Sequence, residues 1–490
     1  MRLTELVNGD NVTTATILPD TEIIGLTADS REVRPGFLFA ALPGTVHDGR
    51  DYIGQAIRNG AAAVLAPPGS RPAEAPDALP VIIDPNPRRR LALMAARFFP
   101  EQPATIVAVT GTNGKTSVAN FAQQFWTLAG HRAAALGTLG VTAPGWAGGP
   151  GLTTPDPVKL HETLAALKMA NIDRLAVEAS SHGLDQYRLD GVRVAAAAIT
   201  NITRDHLDYH KTMDAYRDAK LRLFAELVDD GGVAVVDADS DLFEPVARIA
   251  RHRNLTLLTY GRKSGDIRCV NAVAQGGGWR LSLSVHGRPF DVAFPLPGNF
   301  QVSNALCALA LVTGCGADMD DMVPFLAQLH GIAGRMQIVG HRTNGAPVIV
   351  DYAHTPDALA TVLGAARAHA AGRLVTVFGC GGDRDAGKRP QMGAIAAALA
   401  DRVIVTDDNP RSEIPAAIRR GILDACPLAT DIGDRREAIR TAIAGLETGD
   451  VLVIAGKGHE QGQTIGTRIL PFDDIEVARG AIRDIDGATA

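Results

Sequence analysis

The 490-residue chain has few aromatic residues, few cysteines and no long apolar run. The five cysteines form no C-x-x-C pair and no spacing typical of zinc ligands, so we interpret them as free thiols in a reducing compartment. No apolar stretch approaches the ~20 residues that span a bilayer. The N-terminus "MRLTELVNGDNV" lacks the features of a signal peptide. These absences predict a cytoplasmic protein without membrane association.

The net charge of the chain is also low. The net charge of −6 is small for this length and gives no basic surface for non-specific nucleic-acid binding, although a local basic pocket for a phosphorylated small molecule remains compatible with it. The chain is too long for one hydrophobic core, which predicts about three domains.

Apolar strands and helical stretches alternate along most of the chain, which indicates an α/β protein with mostly parallel sheets and sites at the carboxyl ends of the strands. We predict domains at 1–100, 101–335 and 336–490. Between about 265 and 295, "RLSLSVHGRPFDVAF" alternates like an antiparallel hairpin. In the last domain, "APVIVDYAH", "GRLVTVFGCGGDRD", "DRVIVTDDNPR" and "DVLVIAGKGHE" are four predicted strands that run into polar loops.

The segment "TGTNGKTS" follows an apolar strand and opens a helix, as phosphate-binding loops do. Lys115 can reach between phosphates and the Thr116 hydroxyl can ligate Mg²⁺. ATP is the favoured ligand, and the alternative is a glycine-rich turn that binds nothing. The predicted ATP-binding residues of this loop are Gly111, Thr112, Asn113, Gly114, Lys115, Thr116 and Ser117.

Two polar clusters follow later strands of the same domain. Glu178 ends "DRLAVE", and Asp205, His206, Asp208 and His210 follow "AAAAITNIT". Either cluster alone could be a solvated loop. Together with a phosphate loop they favour a metal–phosphate site, because magnesium held by a threonine needs carboxylate help.

These motifs together resemble the Mur ligase family of ATP-dependent amide-forming enzymes. The resemblance rests on "GTNGKTS", "EASSHGLDQYR", "TNITRDHLDYHKTMDAYRDAK", "GNFQVSNALCA", "DYAHTPDAL", "GCGGDRDAGKRP", "DNPRSE" and "AGKGHE" and covers nearly the whole chain. It implies a central P-loop-type ATPase domain with a mostly parallel sheet. That domain would be flanked by an N-terminal UDP-binding α/β domain and a C-terminal Rossmann-like α/β domain.

The resemblance also implies binding residues for a UDP-sugar-dipeptide. In the first domain these are Leu26, Ser30, Thr45, Val46 and His47, and in the central domain Thr153, Thr154, Ser180, Gln186 and Arg188. Without the family, Ser30 and its neighbours would be interpreted as a surface turn. Asn304 matches an adenine-side asparagine, with a helix N-cap as the alternative. Gln301 departs from the usual asparagine and leaves the geometry there open.

The same resemblance implies a magnesium centre and catalytic residues. Thr116 and Glu178 would hold one metal ion, and His206 with a carbamylated Lys220 a second; for Lys220 the alternative is a solvated side chain. Asp351 and His354 would orient nucleotide or phosphate. The implied catalytic residues are Lys115, His206, Lys220, Asp351 and His354.

In the third domain "DNPR" is similar to the family's signature for meso-diaminopimelate. Arg411 would grip the far carboxylate of that amino acid and Glu460 its ammonium. The full implied set is Arg389, Asp408, Asn409, Pro410, Arg411, Gly456 and Glu460. Ile414 replaces a common acidic residue beyond these, and we expect little effect of it on amino-acid choice.

The implied reaction uses ATP to join meso-diaminopimelate to UDP-N-acetylmuramoyl-L-alanyl-D-glutamate through an acyl phosphate, in peptidoglycan precursor synthesis. We expect a monomer whose partners are these small molecules and not nucleic acid or membrane. The alternatives are a lysine-adding ligase of the same family, a relative of folylpolyglutamate synthase, and a nucleotide-binding regulator without catalysis.

Overall fold

A computed structural model describes residues 1–7, 21–44, 48–70, 79–146, 149, 151–275 and 278–487. Its first 100 residues contain a parallel four-stranded sheet in the order β1-β2-β3-β4. The strands are β1 (Gly25–Thr27), β2 (Phe37–Ala40), β3 (Ala63–Ala66) and β4 (Val81–Ile83), and the helices are α1 (Leu3–Val7), α2 (Ile53–Arg58) and α3 (Pro87–Phe98). Helices α1 and α3 pack on one face of the sheet and α2 on the other.

The central part of the chain forms a ten-stranded mixed sheet, in the order β14-β13-β12-β11-β10-β9-β5-β8-β6-β7. The strands are β5 (Thr105–Thr110), β6 (Ala133–Gly137), β7 (Gly140–Thr142), β8 (Arg174–Glu178), β9 (Val194–Ile199), β10 (Val228–Asp237), β11 (Thr256–Gly261), β12 (Ile267–Gln275), β13 (Gly278–Val285) and β14 (Arg288–Phe294). The helices are α4 (Lys115–Leu128), α5 (Pro157–Met169), α6 (Ser181–Asp185), α7 (Leu207–His210), α8 (Met213–Arg222), α9 (Phe243–Arg253), α10 (Asn299–Gly314) and α11 (Met319–Met322).

Strands β6, β8, β5, β9, β10, β11 and β12 run parallel, and antiparallel strands extend the sheet at both ends. The predicted hairpin is confirmed: β13 pairs antiparallel with β14 around the positive-φ turn His286–Gly287. Apolar residues cover both faces of this sheet, with α4 and α10 on one side and α5 and α9 on the other. The polar loops therefore collect at the strand ends, where the candidate site lies.

The last part of the chain forms a six-stranded sheet in the order β15-β16-β20-β17-β18-β19, in which only the β15–β16 pair is antiparallel. The strands are β15 (Gln337–His341), β16 (Pro347–Asp351), β17 (Leu374–Phe378), β18 (Arg402–Val405), β19 (Thr430–Asp431) and β20 (Val451–Ala455), with a separate hairpin of β21 (Gly462–Ile465) and β22 (Arg468–Pro471). The helices are α12 (Pro356–Arg367), α13 (Lys388–Leu399), α14 (Pro415–Leu423), α15 (Arg435–Ala444) and α16 (Asp474–Gly487).

The four apolar strands predicted here are β16, β17, β18 and β20, and each ends in the polar loop that the sequence indicated. Helices α12, α13 and α14 cover one face of the sheet, and α15 and α16 the other. Three α/β units with mostly parallel sheets confirm the predicted fold class. Within the described residues, no helix combines the length and apolarity needed to cross a membrane.

Candidate active site

The phosphate loop between β5 and α4 adopts a conformation that requires its two glycines. Gly111 and Gly114 have φ of +142° and +88°. A Cβ atom would lie 1.9 Å from Thr200 Oγ1 at the first position and 2.5 Å from Asn304 Oδ1 at the second. The Thr112 amide donates to the Asn201 carbonyl (2.8 Å). The end of β9 and helix α10 thus hold the loop from two sides.

Lys115, the first residue of α4, folds back over this loop. Its Nζ donates to the carbonyl oxygens of Gly111 and Thr112, both at 2.9 Å. Burial lowers the pKa of Lys115, while Glu178 and Asp205 act in the opposite direction. The amine lies where the loop amides and the start of α4 together favour an anion.

Glu178 and Thr116 meet at the end of β8. Thr116 Oγ1 donates to Glu178 Oε2 (3.1 Å), and Thr138 donates to the same carboxylate through its amide (2.9 Å) and its hydroxyl (3.2 Å). Arg335 Nη2 donates to Thr116 Oγ1 (3.0 Å), although it lies 219 residues further along the chain. Neither Thr138 nor Arg335 was predicted, and no motif around them offered a signal.

Lys220 is buried, with 1% of its surface exposed, so the alternative of a solvated side chain is wrong. Its Nζ donates to the Gly111 carbonyl (2.8 Å) and lies 4.5 Å from the centre of the Tyr216 ring. Burial, reinforced by the charge of Lys115, lowers the pKa of Lys220 well below its usual range. Helix α8 therefore places the amine of Lys220 against the phosphate loop, at the Gly111 carbonyl.

His206 is the N-cap residue of α7, has a φ of +53° and lies beside the carboxylate of Asp205. Its Nε2 lies 3.4 Å from Asp205 Oδ2, and its ring stands edge-on to His182 with centroids 4.8 Å apart. Burial lowers the pKa of His206 to about 4, against the opposing effect of Asp205. The imidazole is therefore neutral near pH 7, the form that binds metals.

The four predicted metal ligands are only partly brought together. Thr116 and Glu178 are hydrogen-bonded, and Lys220 lies on Gly111 of the same loop, whereas His206 lies beside Asp205. Over the described ranges, no group of three or more histidine, cysteine, aspartate or glutamate side chains could hold a metal ion. Thr116 Oγ1 and Glu178 are hard oxygen donors of the kind that Mg²⁺ prefers.

Asn304 lies in the interior of α10, which begins at Asn299 after an N-cap at Gly298, so the N-cap alternative is wrong. Its Nδ2 donates to Gln301 Oε1 (2.9 Å), and both residues are buried. Gln301 thereby fixes the orientation of the Asn304 amide, whose oxygen faces Gly114. Ser117 is buried in the first turn of α4.

A wide cleft of about 1280 Å³ opens between the first sheet and the central one. Of the predicted sugar-nucleotide residues, Leu26, Ser30, Gln186 and Arg188 line it. Ser30 is buried and donates to Gln55 Oε1 (3.1 Å), although it belongs to the turn that the alternative interpretation described. Thr45, Val46 and His47 lie outside the described residues.

The remaining predicted residues of that set surround the end of β8. Thr153 shares a hydroxyl hydrogen bond with Thr138 (3.0 Å). Thr154 Oγ1 donates to the Glu178 carbonyl (2.9 Å) and accepts from the Ser180 amide (2.9 Å). Arg188 donates to the Thr154 carbonyl and to Gln186 Oε1, both at 2.8 Å. Arg88 and Gln55 also line the cleft and were not predicted, since isolated polar residues carry no signal.

A smaller cavity of about 260 Å³ lies between the central and last sheets. Its lining from the last part of the chain includes the predicted residues His354, Asp408, Asn409, Arg411, Gly456 and Glu460, and its central lining includes His206. Arg411 has φ of +50° and donates through Nη1 to the Gly382 carbonyl (2.7 Å). The backbone at Arg411 also pairs with β21, since its amide donates to the Thr464 carbonyl (3.0 Å).

Arg389 and Pro410 are not among the residues that line this cavity. Arg389 is buried and donates from Nη2 to Glu413 Oε1 (2.8 Å), and its Nε has no hydrogen-bond partner within the part of the chain that the structure describes. Glu413 also accepts from the Asp383 amide (2.7 Å). The glutamate of "DNPRSE" therefore ties its loop to α13 and to the loop after β17.

Asp351 is the last residue of β16, and His354 lies in the loop that follows it. The buried Asp351 accepts from the amides of Met336 and Ala353, both at 2.7 Å, and burial raises its pKa. It fixes the chain where the last sheet begins. His354 lines the cavity, and burial, reinforced by Lys388, lowers its pKa.

Three family models match successive parts of the chain: "Mur ligase family, catalytic domain" over 22–99, "Mur ligase middle domain" over 109–312 and "Mur ligase, glutamate ligase domain" over 334–458. The chain belongs to the Mur ligase family. The first stretch contains the first sheet, the second the phosphate loop, and the third the cavity residues from Tyr352 to Gly456.

Individual members of the Mur ligase family align over almost the whole chain. UDP-N-acetylmuramoyl-L-alanyl-D-glutamate–2,6-diaminopimelate ligases from Bradyrhizobium diazoefficiens and Caulobacter vibrioides are each 50% identical to it, over 98% and 99% of this chain and 99% of each relative. A solved structure of a ligase of the same name is 33% identical with a TM-score of 0.70, covering 100% of this chain and 99% of that one.

Proposed function

We propose that this protein is the ATP-dependent ligase that adds meso-2,6-diaminopimelate to UDP-N-acetylmuramoyl-L-alanyl-D-glutamate in peptidoglycan precursor synthesis. The observation that carries the proposal is the small cavity in which Arg411 and Glu460, a cation and a carboxylate, line the same space as Asp205 and His206 of the central part. An amino acid with a second ammonium–carboxylate head fits those opposite charges.

The phosphate loop would activate the acyl donor. A carboxylate is a poor donor because its leaving group would be oxide, whereas an acyl phosphate has a stable leaving group. Lys115 would move from the Gly111 and Thr112 carbonyls to the transferred phosphoryl group and stabilise the charge that develops there. Asn304, fixed by Gln301 beside Gly114, would contact the adenine side of ATP.

Mg²⁺ would be held by Thr116 Oγ1 and Glu178, hard oxygen donors that already lie 3.1 Å apart. When bound, it would neutralise phosphate charge. Arg335, which donates to the same hydroxyl, would lie beside the phosphates and add a second positive charge.

Lys220 would act as a carbamate. As an ammonium it repels metal ions, but burial lowers its pKa and so favours the neutral amine, which is the form that adds CO₂. The resulting carboxylate-like group would be an oxygen donor near the phosphate loop, with His206 as the nitrogen donor of a second metal site.

The wide cleft would bind the UDP-sugar-dipeptide. Ser30 and Leu26 lie at its first-sheet side, and Gln186 and Arg188 at its central side, next to the Thr154–Glu178 contact. The dipeptide end would therefore lie close to the phosphate loop. Since one chain supplies all three sites, we also propose a monomer, and its use of ATP favours a cytoplasmic location.

The test is ADP release by the purified protein with the nucleotide dipeptide and either diaminopimelate, lysine or no amino acid. We expect turnover with diaminopimelate and little with the other two. Replacing Lys115 by Met should lower kcat by about a thousandfold, the order expected when a charged stabiliser of the transition state is lost. Turnover driven by lysine alone would contradict the proposal and favour the lysine-adding alternative.

A further inference from the structure

Lys457 lies two residues after the end of β20 and between two glycines, and its side chain is directed into the interior of the protein. Gly456 and Gly458 have φ of +115° and +56°. A Cβ atom at these positions would lie 2.8 Å from Asp408 Oδ2 and from Tyr352 Cβ. None of the Lys457 surface is exposed. A lysine this buried requires compensation for its charge.

The partners of Lys457 belong to the cavity described above. Its Nζ donates to Asn409 Oδ1 (3.1 Å) and to Glu460 Oε2 (3.2 Å). Asn409 Nδ2 donates to the same Glu460 oxygen (2.9 Å), which leaves the other oxygen of that carboxylate for a ligand. Lys457 thus joins the "DNPR" loop to Glu460 beneath the cavity.

Among the described residues, the carboxylate that forms a salt bridge with Lys457 is Glu460, at 3.2 Å. The neighbouring buried Arg435 has its own partner, Asp474, at 2.7 Å, and both side chains are fully buried. Lys457 also acts on Asp408. Burial alone would raise the pKa of Asp408, but the charges of Lys457 and Arg435 outweigh burial and lower that pKa. At this end of the cavity two carboxylates, Asp408 and Glu460, therefore face two cations, Arg411 and Lys457.

These four charges sum to zero. The other charged residues that line the cavity balance one another, since they are three cations (Arg204, Arg384 and Lys388) and three carboxylates (Asp205, Asp208 and Asp385). A neutral site matches an amino-acid head carrying one ammonium and one carboxylate. Without Lys457 the sum becomes −1, which matches a head that carries only an ammonium, such as the side chain of lysine. A single uncompensated charge in a partly buried site changes the affinity of a nearby ion substantially.

We propose that Lys457 is a positioning residue that sets the charge of this site and thereby favours a zwitterionic amino-acid head over a purely cationic one. The inference rests on the proposed function. It adds to the roles of Arg411 and Glu460 a buried residue that acts through Glu460 and Asn409.

The test compares kcat/KM for diaminopimelate with kcat/KM for lysine, at saturating ATP and nucleotide dipeptide, in the wild type and in Lys457→Met. We expect the preference for diaminopimelate to fall by about tenfold or more, because one unit charge is removed within several ångströms of the ligand head. The KM for ATP should stay unchanged. Lys168→Met, which removes a surface lysine paired with Asp173, is the matched control and should leave the preference as it is.

The double variant Lys457→Met, Glu460→Gln separates charge from packing. In this variant the charges of Asp408 and Arg411 balance each other again. The preference for diaminopimelate over lysine should therefore be higher than in Lys457→Met. Both amino acids should react more slowly, because both lose the contact with Glu460. Lys457→Arg keeps the positive charge and should keep the preference for diaminopimelate, even if it lowers the thermal midpoint. This variant is measured as well in case Lys457→Met does not fold.

An unchanged preference in Lys457→Met, or a double variant no better than the single one, would overturn this inference and leave the proposed function intact. A wild-type protein that shows no turnover with diaminopimelate would overturn both.

Discussion

The two cavities of the molecule differ in size and in how their charges are held. The cleft beside the first sheet is about 1280 Å³ and open, whereas the cavity against the last sheet is about 260 Å³. In the cleft the polar groups are spread along a wide surface, and Arg31 pairs with Asp29 in solvent. At the small cavity, Asp408 in the lining and Lys457 beneath it are both buried. Large ligands are held by many weak contacts and small ones by a few desolvated charges, so single substitutions should have larger effects in the cavity.

Among substitutions in the two cavities, the largest effect is expected at Arg411. Replacement by Ala leaves the far carboxylate of the amino acid without its partner, so kcat/KM for diaminopimelate should fall by about a hundredfold or more. The rate with lysine should not fall, because the charge of the site becomes −1, as it does in Lys457→Met, and the KM for the nucleotide dipeptide should not change. Steady-state kinetics with each amino acid measure this.

Arg420→Ala, at an exposed position on α14, is the control for Arg411. A preference for diaminopimelate that survives in Arg411→Ala would break the comparison between the two cavities, because the small one would then not depend on its charges.

At Arg188 we expect a smaller, complementary effect. Arg188→Ala removes two hydrogen bonds that hold Thr154 and Gln186 at the edge of the cleft, so the KM for the nucleotide dipeptide should rise by about tenfold, with the KM for diaminopimelate unchanged. The exposed Arg193 serves as control in an Arg193→Ala variant. A rise in both KM values would mean that the two binding regions are not independent.

His459, whose ring centre lies 5.1 Å from that of the cavity residue Tyr352, should make the stability of the fold depend on pH. Burial, helped by Arg335 and His354, lowers the pKa of His459 to about 4, against about 6.5 in an unfolded chain. Between these values the unfolded state binds the proton and the folded state does not, so this residue destabilises the fold as pH drops below about 6.5 and contributes nothing above it.

His459→Gln should therefore lose less thermal stability than the wild type between pH 7.5 and pH 5, by a few degrees in the midpoint. Differential scanning fluorimetry at both pH values measures the difference. Equal losses in the two proteins would show that His459 is not held neutral in the fold.

The smallest effect is expected at Ser30, which lies in the open cleft. Ser30→Ala removes one neutral hydroxyl that bonds Gln55, so the KM for the nucleotide dipeptide should rise only about twofold to threefold. An effect as large as that of Arg411→Ala would reverse the contrast between the cavities. The same kinetic assay, with the nucleotide dipeptide varied, decides it.

Much of the fold was predictable because local patterns repeat there. The apolar runs that became β16, β17, β18 and β20 are each short and bounded by polar loops, and the alternation in β13 and β14 has the period of a strand. The phosphate loop was predictable for a similar reason, since its glycines and lysine are contiguous.

The contacts across the chain were not predictable. Arg335 reaches Thr116 over 219 residues, and Lys457 is turned inward by glycines whose positive φ the sequence does not reveal. Glu413 and Arg389 both lie in recognised segments, but their pairing depends on how two loops meet. Such partners follow from tertiary packing and leave no trace in local spacing.

Arg335 carries a consequence for the order of events. Its guanidinium donates to Thr116 on the phosphate loop and lies 4.7 Å from the centre of the ring of Tyr352, the residue that follows β16 and lines the small cavity. One side chain thus contacts both the phosphate loop and a residue that lines the small cavity. If a ligand at the phosphate loop moved Arg335 away from Thr116, its contact with Tyr352 would change as well, and thermodynamic linkage would make the influence of the two regions on each other mutual.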